Sequence, residues 1–266
     1  MLKVAVFGLG EAGALISADL AESGAKVTGF DPADVTTPDG VRRVSDPHEA
    51  VIDADVIMGI TASADALTAI SQALDSIKPD SLYADLSTSS ALVKMELADI
   101  AGTRGLRFAD IALMTIVPGN GMRTPALASG PGADHYVSLF SPLGVPVEAI
   151  SDIPGDAATR KLLRSIMMKG LASLVVEAMQ AGYAAGCEEW LWKNLSDQLT
   201  SANEKVLSRL ITGTQTHALR RLHEMQASMA LLEELGVDPV MTRSTVESHQ
   251  RVLENGVPPV PHINSK

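Results

Sequence analysis

Residues 3–31 constrain the fold more tightly than any other stretch of the chain. An apolar run, Val4 to Phe7, stops at a glycine, and Gly8, Gly10 and Gly13 fall at G-x-G-x-x-G spacing. A small-residue amphipathic segment, Ala14 to Ser23, follows and is closed by Gly24. A second short apolar run then ends on Asp31, eighteen positions beyond Gly13. Glycines at this spacing are a weak signal alone. Between a strand and a helix, with an acid at the end of the next strand, they form the fingerprint of a dinucleotide-binding βαβ unit.

Each part has a physical task. Gly8 lets the chain leave the strand sharply. Beyond Leu9, Gly10 leaves room for a pyrophosphate to approach the backbone, and Gly13 lets the helix pack close to the sheet. The helix starting near Glu11 and Ala12 offers free N–H groups and its positive dipole end to the phosphates. Asp31 is placed to accept hydrogen bonds from a ribose 2′-hydroxyl and to repel a 2′-phosphate. That favours NAD; NADP is not excluded, because the preference rests on this one residue. The other reading of these residues is a glycine-rich turn that binds nothing.

The remaining composition narrows the class. A chain of 266 residues allows one large domain or two ordinary ones. With 46% hydrophobic and 20% charged residues it reads as globular. A net charge of −11 argues against a nucleic-acid surface or an anionic-membrane anchor, so an anionic substrate needs local cations. Cys187 is the single cysteine, which rules out an intrachain disulfide and a cysteine zinc site and suits a reducing compartment. His48, His135, His249 and His262 have no metal-like spacing. The N-terminus lacks a signal-peptide layout and no apolar run reaches membrane-spanning length. A cytoplasmic protein is the expectation.

Short apolar runs alternate with helix-like segments over residues 1–110, which predicts a parallel sheet with helices on both faces. Expected strands include 41–44, 55–60, 82–86 and 106–113. Asp46-Pro47 starts a short helix, 64–77 and 91–101 read as helices, and 114–125 as a loop. Ligands in such sheets bind beyond the carboxyl ends of the strands. That rule selects Gly8–Gly13, then Thr61-Ala62-Ser63, then Ser87–Ser90, the last two hydroxyl-rich where a nicotinamide would lie. Ordinary helix capping is the alternative for these hydroxyls. The turn cluster Asp152–Asp156 marks a boundary, giving a Rossmann-type α/β domain over 1–154 and an all-helical domain over 155–266. A long apolar helix, 156–185, should run through the centre of the second domain. Helices over 188–199, 202–211, 216–235 and 239–255 follow, with Gly236 as a C-terminal stop and Asp238-Pro239 capping the last.

Two constellations could carry chemistry. Lys161, Ser165 and Lys169 are four apart, so on a helix they advance by only about 40° per step and share a face. Such residues on an apolar helix cost desolvation energy unless they face a cleft, where a lysine can act in proton transfer; a solvated basic stripe is the alternative. In the second constellation His217, Arg220, Arg221 and Glu224 fall on one helical face. They read either as an anion clamp or as surface pairing of Arg220 with Glu224.

Four segments, Gly8-Leu-Gly-Glu-Ala-Gly13, Asp55-Val-Ile, Asp85-Leu-Ser-Thr88 and Gly155-x5-Lys161, resemble the β-hydroxyacid dehydrogenase and 6-phosphogluconate dehydrogenase superfamily over essentially the whole chain. The resemblance implies a Rossmann-like domain followed by a helical domain, a homodimer formed through the latter, and Lys161 as catalytic acid/base. Ser165 stands where the family usually has asparagine. The family's substrate loop, Asp-x-Pro-Val-Ser-Gly-Gly, is here Asp110-Ile-Ala-Leu-Met-Thr-Ile116, with Met114 at the serine position. Further segments, Lys161…Lys169-Gly170 and His217…Met225, resemble a branch of phosphogluconate dehydrogenase-like proteins with its own C-terminal domain. The resulting expectation is an NAD(P)-dependent oxidoreductase of a small hydroxy acid or related alcohol or ketone. Ser87, Ser165 and Lys169 would orient the substrate beside Met114, and Arg123 or His217 with Arg220 would take an anionic end. Because the substrate loop has lost its polar residues, an imine or neutral-ketone reductase is the second expectation, and a non-catalytic NAD(H)-binding protein the third.

Overall fold

The computed structural model describes residues 1–261, so His262 lies outside the described residues. The chain divides into two compact units, one up to Ser165 and one from Ile166 onward.

The first unit is built on an eight-stranded sheet. Its strands are β1 (Lys3–Phe7), β2 (Lys26–Phe30), β3 (Val41–Val44), β4 (Val56–Gly59), β5 (Leu82–Asp85), β6 (Arg107–Leu113), β7 (Ala126–Ser129) and β8 (Val147–Ser151). They lie in the order β3-β2-β1-β4-β5-β6-β7-β8. The helices are α1 (Glu11–Glu22), α2 (Pro47–Val51), α3 (Ala66–Ser71), α4 (Ala91–Gly102) and α5 (Ala133–Phe140). Val4 to Phe7 are all buried because β1 is covered on both faces. Val4 and Val6 join Leu20, Met58, Leu82 and Tyr136 in one core layer. Ala5 and Phe7 join Ile57, Ile70, Tyr83 and Leu97 in the other. The strand order reverses beside β1, which pairs with β2 on one side and β4 on the other. That places the ligand crevice of an open α/β sheet at the carboxyl ends of β1 and β4.

One local expectation needs correction. Residues 64–77 do not form one helix: α3 ends at Ser71, and a 3-10 turn over Leu74–Ser76 follows Ala73, whose φ of −131° is not helical. No glycine or proline marks that break. The strands β1 to β6 pair in parallel, as the alternation over residues 1–110 predicts, and β7, beyond that stretch, runs antiparallel to β6. The connection 114–125 holds only a 3-10 turn at Gly121–Arg123, not the helix that a parallel crossover uses.

The turn cluster at 152–156 leads straight into α6 (Asp156–Ala184), and the division between units falls inside this helix. The second unit continues with α7 (Glu188–Thr200), α8 (Glu204–Thr216), α9 (Ala218–Glu234) and α10 (Val240–Asn255). Gly186 and Gly236 end their helices with φ of 67° and 71°, and a Cβ on Gly182 would lie 2.8 Å from Leu191. The expectation that α6 is a central helix is not met within one chain. Among the described residues of α6 from Ile166 to Ala184, only Glu177 and Gly182 are buried, and Ile166 is 71% exposed. A long helix that is apolar around much of its surface needs more neighbours than one copy supplies.

The last helix is capped differently from the expectation. Glu177 of α6, not Asp238, accepts the free N–H groups of α10: Met241 N–H at 2.6 Å and Thr242 N–H at 2.8 Å, with the Thr242 hydroxyl at 2.6 Å. Burial pushes the Glu177 carboxyl up, but these bonds and the Arg243 charge outweigh it and hold it below its ordinary value.

Candidate active site

The glycine loop has the geometry its sequence implies. Gly8 has φ 96°, and a Cβ there would lie 2.3 Å from the Ile60 carbonyl oxygen. A Cβ on Gly13 would lie 1.9 Å from the Gly8 carbonyl oxygen, so Gly13 lets α1 press against the turn. Among the described residues, nothing lies within 4 Å of a Cβ on Gly10. Its openness is what a ligand approaching the backbone requires. The first bond inside α1 is Ala14 N–H to the Gly10 carbonyl at 2.8 Å. The N–H groups of Glu11, Ala12 and Gly13 precede it and project from the helix end. Leu9 differs from the expectation: its side chain is buried and its N–H donates to Asp31 Oδ2 at 2.7 Å, so it offers phosphate no free donor.

Asp31 thus ties the glycine loop to the end of β2. Its Oδ1 accepts the Ala33 N–H at 2.9 Å, and each oxygen keeps a second lone pair for a ribose hydroxyl. Arg43, on β3, donates to the backbone carbonyls of Asp31, Ala33 and Val35 and lies beside Asp34, which fixes the loop. Gly10, Asp31, Pro32, Thr61, Ala62 and Gln72 contribute to the wall of a cavity of about 380 Å³ at the switch point. Thr61 Oγ1 is buried in that wall without a hydrogen-bond partner among the described residues, an orphan that a bound dinucleotide would satisfy. Gln72, with Asp65 and Thr68, was not singled out from the sequence, because α3 gives no sign of which loop it faces.

The hydroxyls after β4 and β5 form a chain. Ser63 accepts from Ser89 at 3.0 Å, and Ser89 and Ser87 share a bond of 2.7 Å. Ser87 donates to Asp85 at 2.7 Å. Ser87 is therefore buried and engaged inward, behind the crevice, and Ser90 caps α4 through the Val93 N–H. Thr88, which is exposed, accepts from Lys161 Nζ at 2.9 Å. The structure thereby brings Lys161, at the second turn of α6, to the carboxyl end of β5.

The buried end of the chain was not read from the sequence. Lys94 of α4 is 0% exposed, and its Nζ lies 2.5 Å from Asp85 Oδ2 and 3.0 Å from Asp110 Oδ1. Lys94, Leu97 and Ala101 are the buried residues of α4, at i, i+3 and i+7. A lysine at an apolar-face position was the available signal.

The remaining expected site residues are described each within its own unit. Met114 is half-buried at the end of β6, its N–H bonded to the Pro125 carbonyl at 2.7 Å. Arg123 is exposed on a loop that Asp19 of α1 holds by accepting the Met122 N–H at 2.8 Å. Ser165 closes the first unit, while Lys169, His217 and Arg220 belong to the second. His217 does not share a helical face with Arg220: it sits at the break between α8 and α9 with φ −121°. Arg220 pairs with Glu224 at 3.7 Å on the exposed surface, the surface-pairing alternative. His135 contacts Arg107 and Tyr136 is core.

Comparison with known proteins agrees with this geometry. Residues 3–114 match the NAD binding domain of 6-phosphogluconate dehydrogenase, and residues 183–252 match a domain of unknown function, DUF1932. An uncharacterized 28.5 kDa protein in the 7S RNA 5′ region of Methanothermus fervidus is 22% identical, over 81% of this chain and 82% of its own length. A probable 3-hydroxyisobutyrate dehydrogenase of Mycobacterium bovis is 30% identical over 49% of this chain, which spans only 46% of that relative. In fold, the chain is similar to an imine reductase from Myxococcus stipitatus in complex with NADP+, with TM-score 0.81 and 18% identity over 97% of this chain and 96% of that one. The V8 variant of that reductase, in complex with NAD+, gives TM-score 0.80 and 18% identity over 97% and 95%. The chain thus joins a region similar to the NAD binding domain of 6-phosphogluconate dehydrogenase to a region similar to DUF1932.

Proposed function

We propose that this chain is an NAD(H)-dependent oxidoreductase of a small hydroxy acid or related alcohol or ketone, with Lys161 as general acid/base. The observation that carries the reading is the position of Lys161 Nζ, 2.9 Å from Thr88 Oγ1 at the carboxyl end of β5 and in the same unit as the glycine loop. When bound, the nicotinamide supplies the hydride acceptor or donor. The Lys161 amine takes the substrate hydroxyl proton during oxidation and returns it during reduction. Thr88 holds the amine at that spot, and Ser165 lies one turn further along α6. Arg123 is the proposed cation of the first unit for an anionic substrate.

NAD is the proposed cofactor. A 2′-phosphate would meet the carboxylate of Asp31, and the nearby cation, Arg43, is committed to backbone carbonyls and Asp34. A homodimer through the helical unit is also proposed, on the apolar residues that α6 leaves exposed, among them Ile166 and Val176.

A second reading, reduction of imines or neutral ketones, is favoured by the segment Met114-Thr115-Ile116, where Ile116 is exposed and no serine or glycine pair is present. Lys161→Ala tests the first reading. Turnover should fall at least about a hundredfold while NADH binding stays near normal, the usual scale for a lost general base. Retained turnover would sink the role of Lys161. Reduction of neutral ketones or imines without oxidation of any hydroxy acid would favour the second reading. Tight NADH binding with no turnover on either panel would leave a non-catalytic binding protein.

A further inference from the structure

We propose that Lys94 is a positioning residue: through Asp85 and Asp110 it fixes the first turn of α6 and so the placement of Lys161, an inference that rests on reading Lys161 as the acid/base. The ammonium is fully buried and lies 2.5 Å from Asp85 Oδ2, 3.0 Å from the Asp85 carbonyl oxygen and 3.0 Å from Asp110 Oδ1. Two carboxylates face one ammonium, so the cluster carries an excess negative charge in an apolar core. The start of α6 balances it. Asp110 Oδ2 accepts the Ala158 N–H at 2.9 Å. Ser129 Oγ accepts the Ala157 N–H at 2.9 Å and donates to Asp110 Oδ2 at 3.2 Å. A helix N-terminus carries roughly half a positive charge, and here it ends on the anion that Lys94 holds.

Two more observations tie the cluster to Lys161. Lys161 is three residues beyond Ala158, just under one turn and roughly 4.5 Å along the helix axis. Gly155, with φ 93°, precedes α6, and a Cβ there would lie 2.9 Å from the backbone of Ala91, the first residue of the helix that carries Lys94. The start of α6 is therefore seated on the start of α4 from above and on the Lys94 cluster from within. Stability alone does not call for this ionic cluster, since apolar residues of similar volume in place of all three side chains would fill the site without the desolvation cost. What the lysine adds is a fixed charge arrangement that only one placement of the helix completes.

The test labels the folded full-length chain with acetic anhydride and reads Lys161 against exposed Lys26 by mass spectrometry across pH, with NADH binding measured in parallel. In Lys94→Met the Lys161 to Lys26 labelling ratio should rise at least about threefold, as local opening of the first turn becomes populated. The midpoint of the Lys161 labelling profile should move, and NADH affinity should stay within about twofold. Adding Asp85→Asn, which removes the second carboxylate, should return the ratio toward wild type. An unchanged ratio in folded Lys94→Met overturns the proposal, and so does failure of Asp85→Asn to restore it, because lost packing is then the cause. If Lys94→Met does not fold, Ser129→Ala carries the test: the same rise supports the anchoring, and an unchanged ratio overturns it. The labelling needs no turnover, so loss of the Lys161 acid/base role, shown by active Lys161→Ala, would be seen separately.

Discussion

Gly10→Ala separates a glycine kept for a ligand from one kept for the fold. Gly10 has φ −63° and ψ −168°, a backbone conformation open to any L-residue, and among the described residues no atom lies within 4 Å of its Cβ position. Alanine there should leave the free protein as stable as before, or more stable by about 0.4–1 kcal/mol through a less flexible unfolded chain. Gly13 is the contrast. A Cβ there would sit 1.9 Å from a backbone oxygen and 2.9 Å from a backbone carbon, neither of which can rotate away. Overpacking of this kind costs typically about 1–3 kcal/mol or more, a large part of the roughly 5–15 kcal/mol that holds a domain folded. If the pyrophosphate approaches the backbone at Gly10, the added methyl meets the ligand. The same 1–3 kcal/mol then appears as roughly 5- to 150-fold weaker binding. Thermal unfolding and NADH fluorescence titration read both quantities. Gly10→Ala binding NADH as well as wild type would refute the placement of the phosphates. Gly13→Ala as stable as wild type would refute the packing argument.

Glu177→Gln should loosen the N-terminus of α10, costing about 1 kcal/mol through a weakened cap, with faster amide exchange at Met241 and Thr242 as the local readout. Its carboxyl is held below the ordinary value of 4.5, so its contribution is present above that value and lost as pH falls through the folded one. The gap between wild type and variant should therefore close in acid, and a gap independent of pH would contradict the ionic cap. Ile166→Asp should turn the proposed dimer into monomer in sedimentation, since each buried large aliphatic side chain contributes about 1.5–3 kcal/mol. A wild-type chain that is monomeric at high micromolar concentration would remove the basis for that prediction. Titration with NADH and NADPH should show tighter NADH binding, and the reverse order would overturn the argument from Asp31 and Arg43.

The strands, the glycine turn, the crevice at the switch point and the long helix beginning at Asp156 are legible in the order of the residues. These follow from local rules: backbone angles, side-chain periodicity and bonds between residues a few positions apart. Asp31 was legible because the βαβ unit fixes where an acid at the end of its second strand must lie. Assembly of the folded chain sets the rest: Leu9 donates to Asp31, Ser87 turns inward, His217 breaks a helix and Glu177 caps one beginning more than sixty residues later. It also leaves the apolar residues of α6 uncovered within one chain. The Lys94 cluster joins α4, the end of β5, β6 and the start of α6, and no spacing announces it. Buried charges choose partners by distance in space, through a low-dielectric interior, and that distance exists only once the sheet has assembled.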